Sequence, residues 1–160
     1  MKIEPVPQSR YGRYYCGPTC LSMILCYYKI NKSPLKIYSI IKNIRKHTKK
    51  HLDEKINGYT YLDEHTLILR KLNFKLKKIK KKQLYNIIKS YVKNGIPLLV
   101  NTTSFRPNKN YEHFVVIKDY KNRKIYFNDP ESIRRKPIKV SKFMKKVKSD
   151  FNYSAIAVYK

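Results

Sequence analysis

Three side chains in this sequence have the types that thiol catalysis needs: Cys16, His113 and Asp129. A cysteine nucleophile requires a base within hydrogen-bond reach, a third group to orient that base, and donors for the oxyanion. Cys16 stands in YYCGPTCLSMILCYY, residues 14 to 28, directly before Gly17, Pro18 and an apolar run. Glycine and proline there supply a tight turn and a residue pre-set for the first helical turn, which predicts a helix starting at Gly17 or Pro18. Its unpaired N–H groups and positive dipole end then lie beside the Cys16 sulfur and favour thiolate over thiol. His113 opens the run HFVVIKDY and Asp129 lies near the end of KIYFNDP, with Lys121, Asn122 and Arg123 as a turn between them. In an antiparallel hairpin of that length, His113 and Asp129 fall at the same open end, where an imidazole and a carboxylate can meet.

Each of these residues also has a plain structural reading. Cys16 can be a buried thiol, His113 a strand-end histidine and Asp129 the first residue of an Asp-Pro turn, so position rather than residue type singles them out. Cys20 and Cys26 fall within the predicted helix and read as packing. Cys16 and Cys20 at helical spacing lack a second ligand pair. His47 and His51, four residues apart with Asp53 near, show no third strong ligand and read as surface histidines. The sequence therefore predicts no metal site, and thiol hydrolysis requires no metal or organic cofactor.

The elements that must position these groups follow from periodicity. Leu21, Ile24, Leu25 and Tyr28 recur at three- and four-residue intervals and predict a helix from Pro18 to Lys29. Ser33 followed by Pro34 marks the start of a second helix through residue 47. The run TYLDEHTLILRKLNF predicts a third, ending near Asn73, and QLYNIIKSYVKNG a fourth, closed by Asn94 and Gly95. KLKKIKKK reads as a short strand and loop, IPLLVNT as a buried strand, and the tail as a short helix over VSKFMKKV and a last strand over YSAIAVY. With no internal repeat and no linker, residues 1–160 predict one α+β domain, helices first and an antiparallel sheet later.

Composition bounds the function. Length allows a single domain with a real core, and 42% hydrophobic residues with 15 Tyr argue against a disordered tail. Thirty-seven Lys+Arg against ten Asp+Glu give a net charge of +27, enough to attract nucleic acid or another polyanion nonspecifically. Lysine dominates that charge and reads first as compositional bias, because nucleic-acid recognition leans on Arg forks and stacking aromatics. If one face is built for a polyanion or an acidic substrate, the lysine-rich region 65 to 93 is the expected one. No stretch reaches a membrane span, MKIEPVPQSR lacks a signal-peptide core, and three cysteines make no disulfide framework. These features predict a soluble, cytoplasmic protein.

The order of Gln8, CGPTCLSMIL, GIPLLV, HFVVIKDY and IYFNDP resembles the papain-like peptidase family that includes the bacteriocin-leader-processing, double-glycine peptidases. The resemblance runs from about Val6 to Pro130. It implies a papain-like fold of N-terminal helices on a C-terminal antiparallel sheet, with Cys16 as nucleophile, His113 as general base and acid, and Asp129 orienting the imidazole. It also implies that Gln8 donates to the oxyanion. Tyr15 stands where exporter-fused peptidases usually carry Asp, and Gln8 lies further upstream than their glutamine, so the chain is more similar to stand-alone relatives. The expected partner is a peptide or protein substrate, anionic if the basic region steers it. The rival reading is a non-catalytic papain-like or basic binding module for nucleic acid or another polyanion.

Overall fold

The computed structural model describes residues 1–51, 56–132, 136–149 and 152–160. Helix α1 spans Cys16–Tyr27, α2 Pro34–Thr48, α3 Leu62–Lys71, α4 Lys81–Lys93 and α5 Val140–Lys146. The strands are β1 Lys75–Ile79, β2 Leu98–Thr103, β3 Glu112–Lys121, β4 Lys124–Asn128, β5 Ile138–Lys139 and β6 Ala155–Tyr159. They form one antiparallel sheet in the order β1-β6-β2-β3-β4-β5. The α+β architecture expected from the sequence is therefore present.

The sheet separates two cores. Alternation along β3 sends Phe114 and Val116 into one core and Val115 and Ile117 into the other. The first core holds α1, α2 and α3, and the second α4 and α5. Helices thus cover both faces, a layer more than the simple picture of helices on a sheet. Helix α1 was expected to bury one face, yet every residue from Gly17 to Leu25 is buried. It runs between the sheet and its neighbouring helices, which explains why its apolar residues go all the way round.

Local chemistry fixes the ends that matter. The Ser33 hydroxyl accepts from the Lys36 N–H at 3.3 Å, with Pro34 in the first turn of α2. Asn122 and Arg123 both take positive φ, 50° and 55°, the two-residue turn whose twist suits a hairpin, so β3 and β4 pair from Lys121 opposite Lys124. The register shifts once, between Ile117 and Asp119. The N-terminal lead-in, predicted as extended, contains a short 3-10 turn at Gln8–Arg10. Asn128 donates to the Ile3 carbonyl at 2.8 Å, and the Gln8 N–H to the Pro130 carbonyl at 2.9 Å, which holds the lead-in against the end of β4.

Candidate active site

The first turn of α1, the start of β3 and the turn after β4 converge at one end of the sheet. His113 is 1% exposed and its Nε2 lies 2.8 Å from Asp129 Oδ1. Cys16 acts electrostatically on the same imidazole, whose Nε2 is engaged by Asp129. Cys16 is half-buried, whereas Asp129 is enclosed. Burial by itself penalises the imidazolium. The hydrogen bonds to Asp129 and Cys16, and the charges of both, outweigh that penalty and raise the His113 pKa to about 10. A protonated imidazole between a sulfur and a carboxylate is the arrangement that supports a thiolate nucleophile.

Cys16 is positioned by a chain of contacts through the helical layer. Arg45 on α2 makes a buried two-point pair with Glu64 on α3, at 2.6 and 3.1 Å, and also donates to the Tyr59 carbonyl at 2.8 Å. Glu64 in turn accepts from the Tyr61 N–H at 2.8 Å, so the segment 59–61 is held at both ends. Thr60, between them, lies 2.9 Å from His65 Nε2. This hydroxyl and ring sit directly against Gly17: a Cβ there would meet Thr60 Oγ1 at 2.1 Å and the His65 ring at 2.7 Å. Glycine after the cysteine is therefore a matter of close approach as well as of turn formation. Complete burial, then the Arg45 charge, push the His65 pKa down to about 3, so it packs as a neutral ring. On the other side of the segment, Gly58 takes φ +92°, and a Cβ would meet the Tyr15 ring at 2.3 Å.

The other cysteines differ from each other. Cys20 is fully buried and its thiol donates to the Phe114 carbonyl at 3.2 Å, as packing requires. Cys26, expected to pack, is exposed at the end of α1. His47 is exposed, and His51 stacks on Tyr61 at 3.9 Å with its Nε2 3.5 Å from Asp63. Asp53, weighed with them as a metal ligand, lies outside the described residues.

Gln8 is buried beside the turn that carries Asp129. Its Nε2 donates to the Arg13 carbonyl at 2.6 Å, which occupies one of its two amide hydrogens, and its Oε1 is buried with no hydrogen-bond partner. One residue near His113 that sequence reasoning missed is Glu131. Its side chain is 3% exposed, with a carboxylate oxygen 3.9 Å from His113 Nε2. It accepts from Ser104 at 2.8 Å and from the Tyr111 hydroxyl, and Arg106 Nε lies 3.8 Å away. Glu131 also donates its backbone N–H to Asp129 Oδ1 at 2.9 Å. The signal was present in Asp129-Pro130-Glu131, a turn that carries a second carboxylate two residues past the first. Among the described residues, His113, Asp129 and Glu131 are the one trio with metal-ligand atoms within 4.8 Å of one another, and internal hydrogen bonds already engage all three.

The same architecture occurs in solved peptidase domains. The peptidase domain of Streptococcus ComA, a bi-functional ABC transporter involved in a quorum sensing pathway, superposes with a TM-score of 0.66 at 17% identity, covering 99% of this chain and 97% of that one. A structure described as a C39-like peptidase from Bacillus anthracis superposes with a TM-score of 0.67 at 18% identity, covering 99% and 95%. The fold is thus that of C39 peptidases. The family model described as Peptidase_C39 like family matches residues 1–157, and the chain belongs to that family. No curated protein matches it in sequence. Among the described residues, no helix is long and apolar enough to cross a membrane.

Proposed function

We propose that the protein is a cysteine peptidase whose nucleophile is Cys16, with His113 as general base and acid and Asp129 as its orienter. The observation that carries this reading is the buried His113–Asp129 pair at 2.8 Å, with Cys16 acting on the same imidazole. The Cys16 thiolate attacks the substrate carbonyl and forms a C–S bond, and the oxygen takes the negative charge. The Cys16 backbone N–H lies in the first turn of α1, where helices leave N–H groups unpaired, and it faces that charge as one donor. The second amide hydrogen of Gln8 is the other candidate donor. His113 then gives its proton to the departing amine, which breaks the C–N bond and leaves a thioester. Water, deprotonated by His113, attacks the thioester and releases the acid and the thiolate. No step requires a metal or an organic cofactor.

The test is a peptide library digested with wild type and with Cys16→Ala, the new termini being counted by mass spectrometry. The wild type generates new termini and Cys16→Ala generates none, while circular dichroism of the two is the same. Cleavage that survives in the variant, or a wild type that cleaves nothing, contradicts the assignment.

A further inference from the structure

A cavity of about 290 Å³ lies beside the candidate active site, between the segment leading to Cys16 and the turn after Asp129. Gln8, Arg13, Arg106, Lys109 and Tyr111 line it, and Glu131 closes one wall. The carboxylate of Glu131 is already committed to Ser104, Tyr111 and Arg106. That network ties down the segment 104–111, which continues through a hydrogen bond from the Arg106 N–H to Ser104 Oγ at 3.1 Å. Arg106 and Lys109 are thereby presented on one side of the cavity and Arg13 on the other. Among the described residues, neither Arg13 nor Lys109 has a carboxylate within ion-pair distance. On a chain of net charge +27, surface cations alone mean little. Here they converge on a concavity whose wall residue Glu131 stands 3.9 Å from His113 Nε2.

We propose that this cavity is a substrate subsite for a carboxylate on the leaving-group side of the scissile bond, held by Arg13 and Lys109. The inference rests on the peptidase reading and names its substrate class. The leaving amine must lie next to the general acid, His113. Glu131 in the cavity wall lies 3.9 Å from His113 Nε2, so the cavity adjoins that acid. A carboxylate is what a peptide presents at its C-terminus or at an acidic side chain. Guanidinium and ammonium groups supply the matching donors.

The experiment measures binding with the thiol removed, so it does not depend on hydrolysis. Full-length 15N-labelled protein carrying Cys16→Ala is titrated in 150 mM salt with acetyl-tetraalanine as free acid, the same peptide as amide, and acetyl-trialanyl-aspartyl amide. The free acid is expected to bind at least tenfold more tightly than the amide, with shifts concentrated at Gln8, Gly12 and Tyr111. Adding Arg13→Gln with Lys109→Gln is expected to erase the preference, while Lys77→Gln with Lys82→Gln, on surface remote from this cavity, keeps it. An aspartyl peptide equal to the free acid assigns the subsite to acidic side chains as well, and a weaker one to the chain terminus. Equal affinity for free acid and amide, or a preference that survives Arg13→Gln with Lys109→Gln, overturns the proposal. If the preference is found but Cys16 proves inert in the digestion experiment, the cavity stands as a carboxylate-binding site, and the peptidase reading and the subsite's place relative to a scissile bond fall.

Discussion

Two buried histidines near Cys16 respond to pH in opposite senses. His113 is held protonated in the folded state up to about pH 10, so it favours folding fully below its unfolded value of 6.5 and loses that contribution as pH rises through 10. His65 is held neutral down to about pH 3, so its contribution is present above 6.5 and disappears as pH falls toward 3. Between pH 6.5 and 3 the first is protonated in both folded and unfolded chains and adds no slope, which leaves His65 as the histidine that drives acid destabilisation there. We predict that His65→Gln flattens the loss of urea midpoint between pH 7 and pH 4. The difference from wild type is worth up to about 3 kcal/mol at the acid end. An equal loss in both proteins contradicts this. The sequence singled out Cys16, His113 and Asp129 because each sits at a position that an element boundary defines: a helix start, a strand start and a strand end. It missed His65 and Glu131 because their surroundings are made by segments distant in sequence, Gly17 for one and Ser104 with Tyr111 for the other.

At the scale of elements, the site depends on how closely α1 approaches the segment 59–61. Gly17→Ala would drive a methyl group into Thr60 and His65, both buried, and we predict a destabilisation of about 1–3 kcal/mol, read as a fall in Tm. An unchanged Tm would mean that the segment yields without cost. The helices and the β3–β4 hairpin were legible because each carries its own start, stop or turn signal within a few residues, as Ser33-Pro34 does for α2 and Asn122 with Arg123 for the hairpin. The placement of β6 was not. Its residues pair with β1 on one side and β2 on the other, so the last strand lies inside the sheet. Nothing local in YSAIAVY distinguishes an inner strand from an edge, although its burial on both faces fits the unbroken run of small and branched apolar residues. The second helical layer was hidden for a similar reason: the amphipathic pattern of α4 shows that one face is buried but not against which side of the sheet.

Across the whole molecule, the positive charge is not centred on the site. The lysines of β1 and α4 lie at the far edge of the sheet and in the layer that does not contain α1, whereas Arg13, Arg106 and Lys109 line the cavity that Glu131 joins to His113. A general field from +27 can raise the encounter rate with any anion, but selection among substrates falls to the few cations that reach the cleft. The fold brings a helix start, a strand start and a post-strand turn from three parts of the chain to one point, and the central claim is that this makes Cys16 a reactive nucleophile. Its most direct test is the rate of iodoacetamide labelling of each cysteine at pH 6, followed by peptide mapping, in wild type and in His113→Ala. The geometry predicts that Cys16 reacts at least tenfold faster than exposed Cys26, that buried Cys20 stays unlabelled, and that His113→Ala removes the advantage of Cys16. Labelling of Cys16 no faster than Cys26, or an advantage that survives without His113, would contradict it.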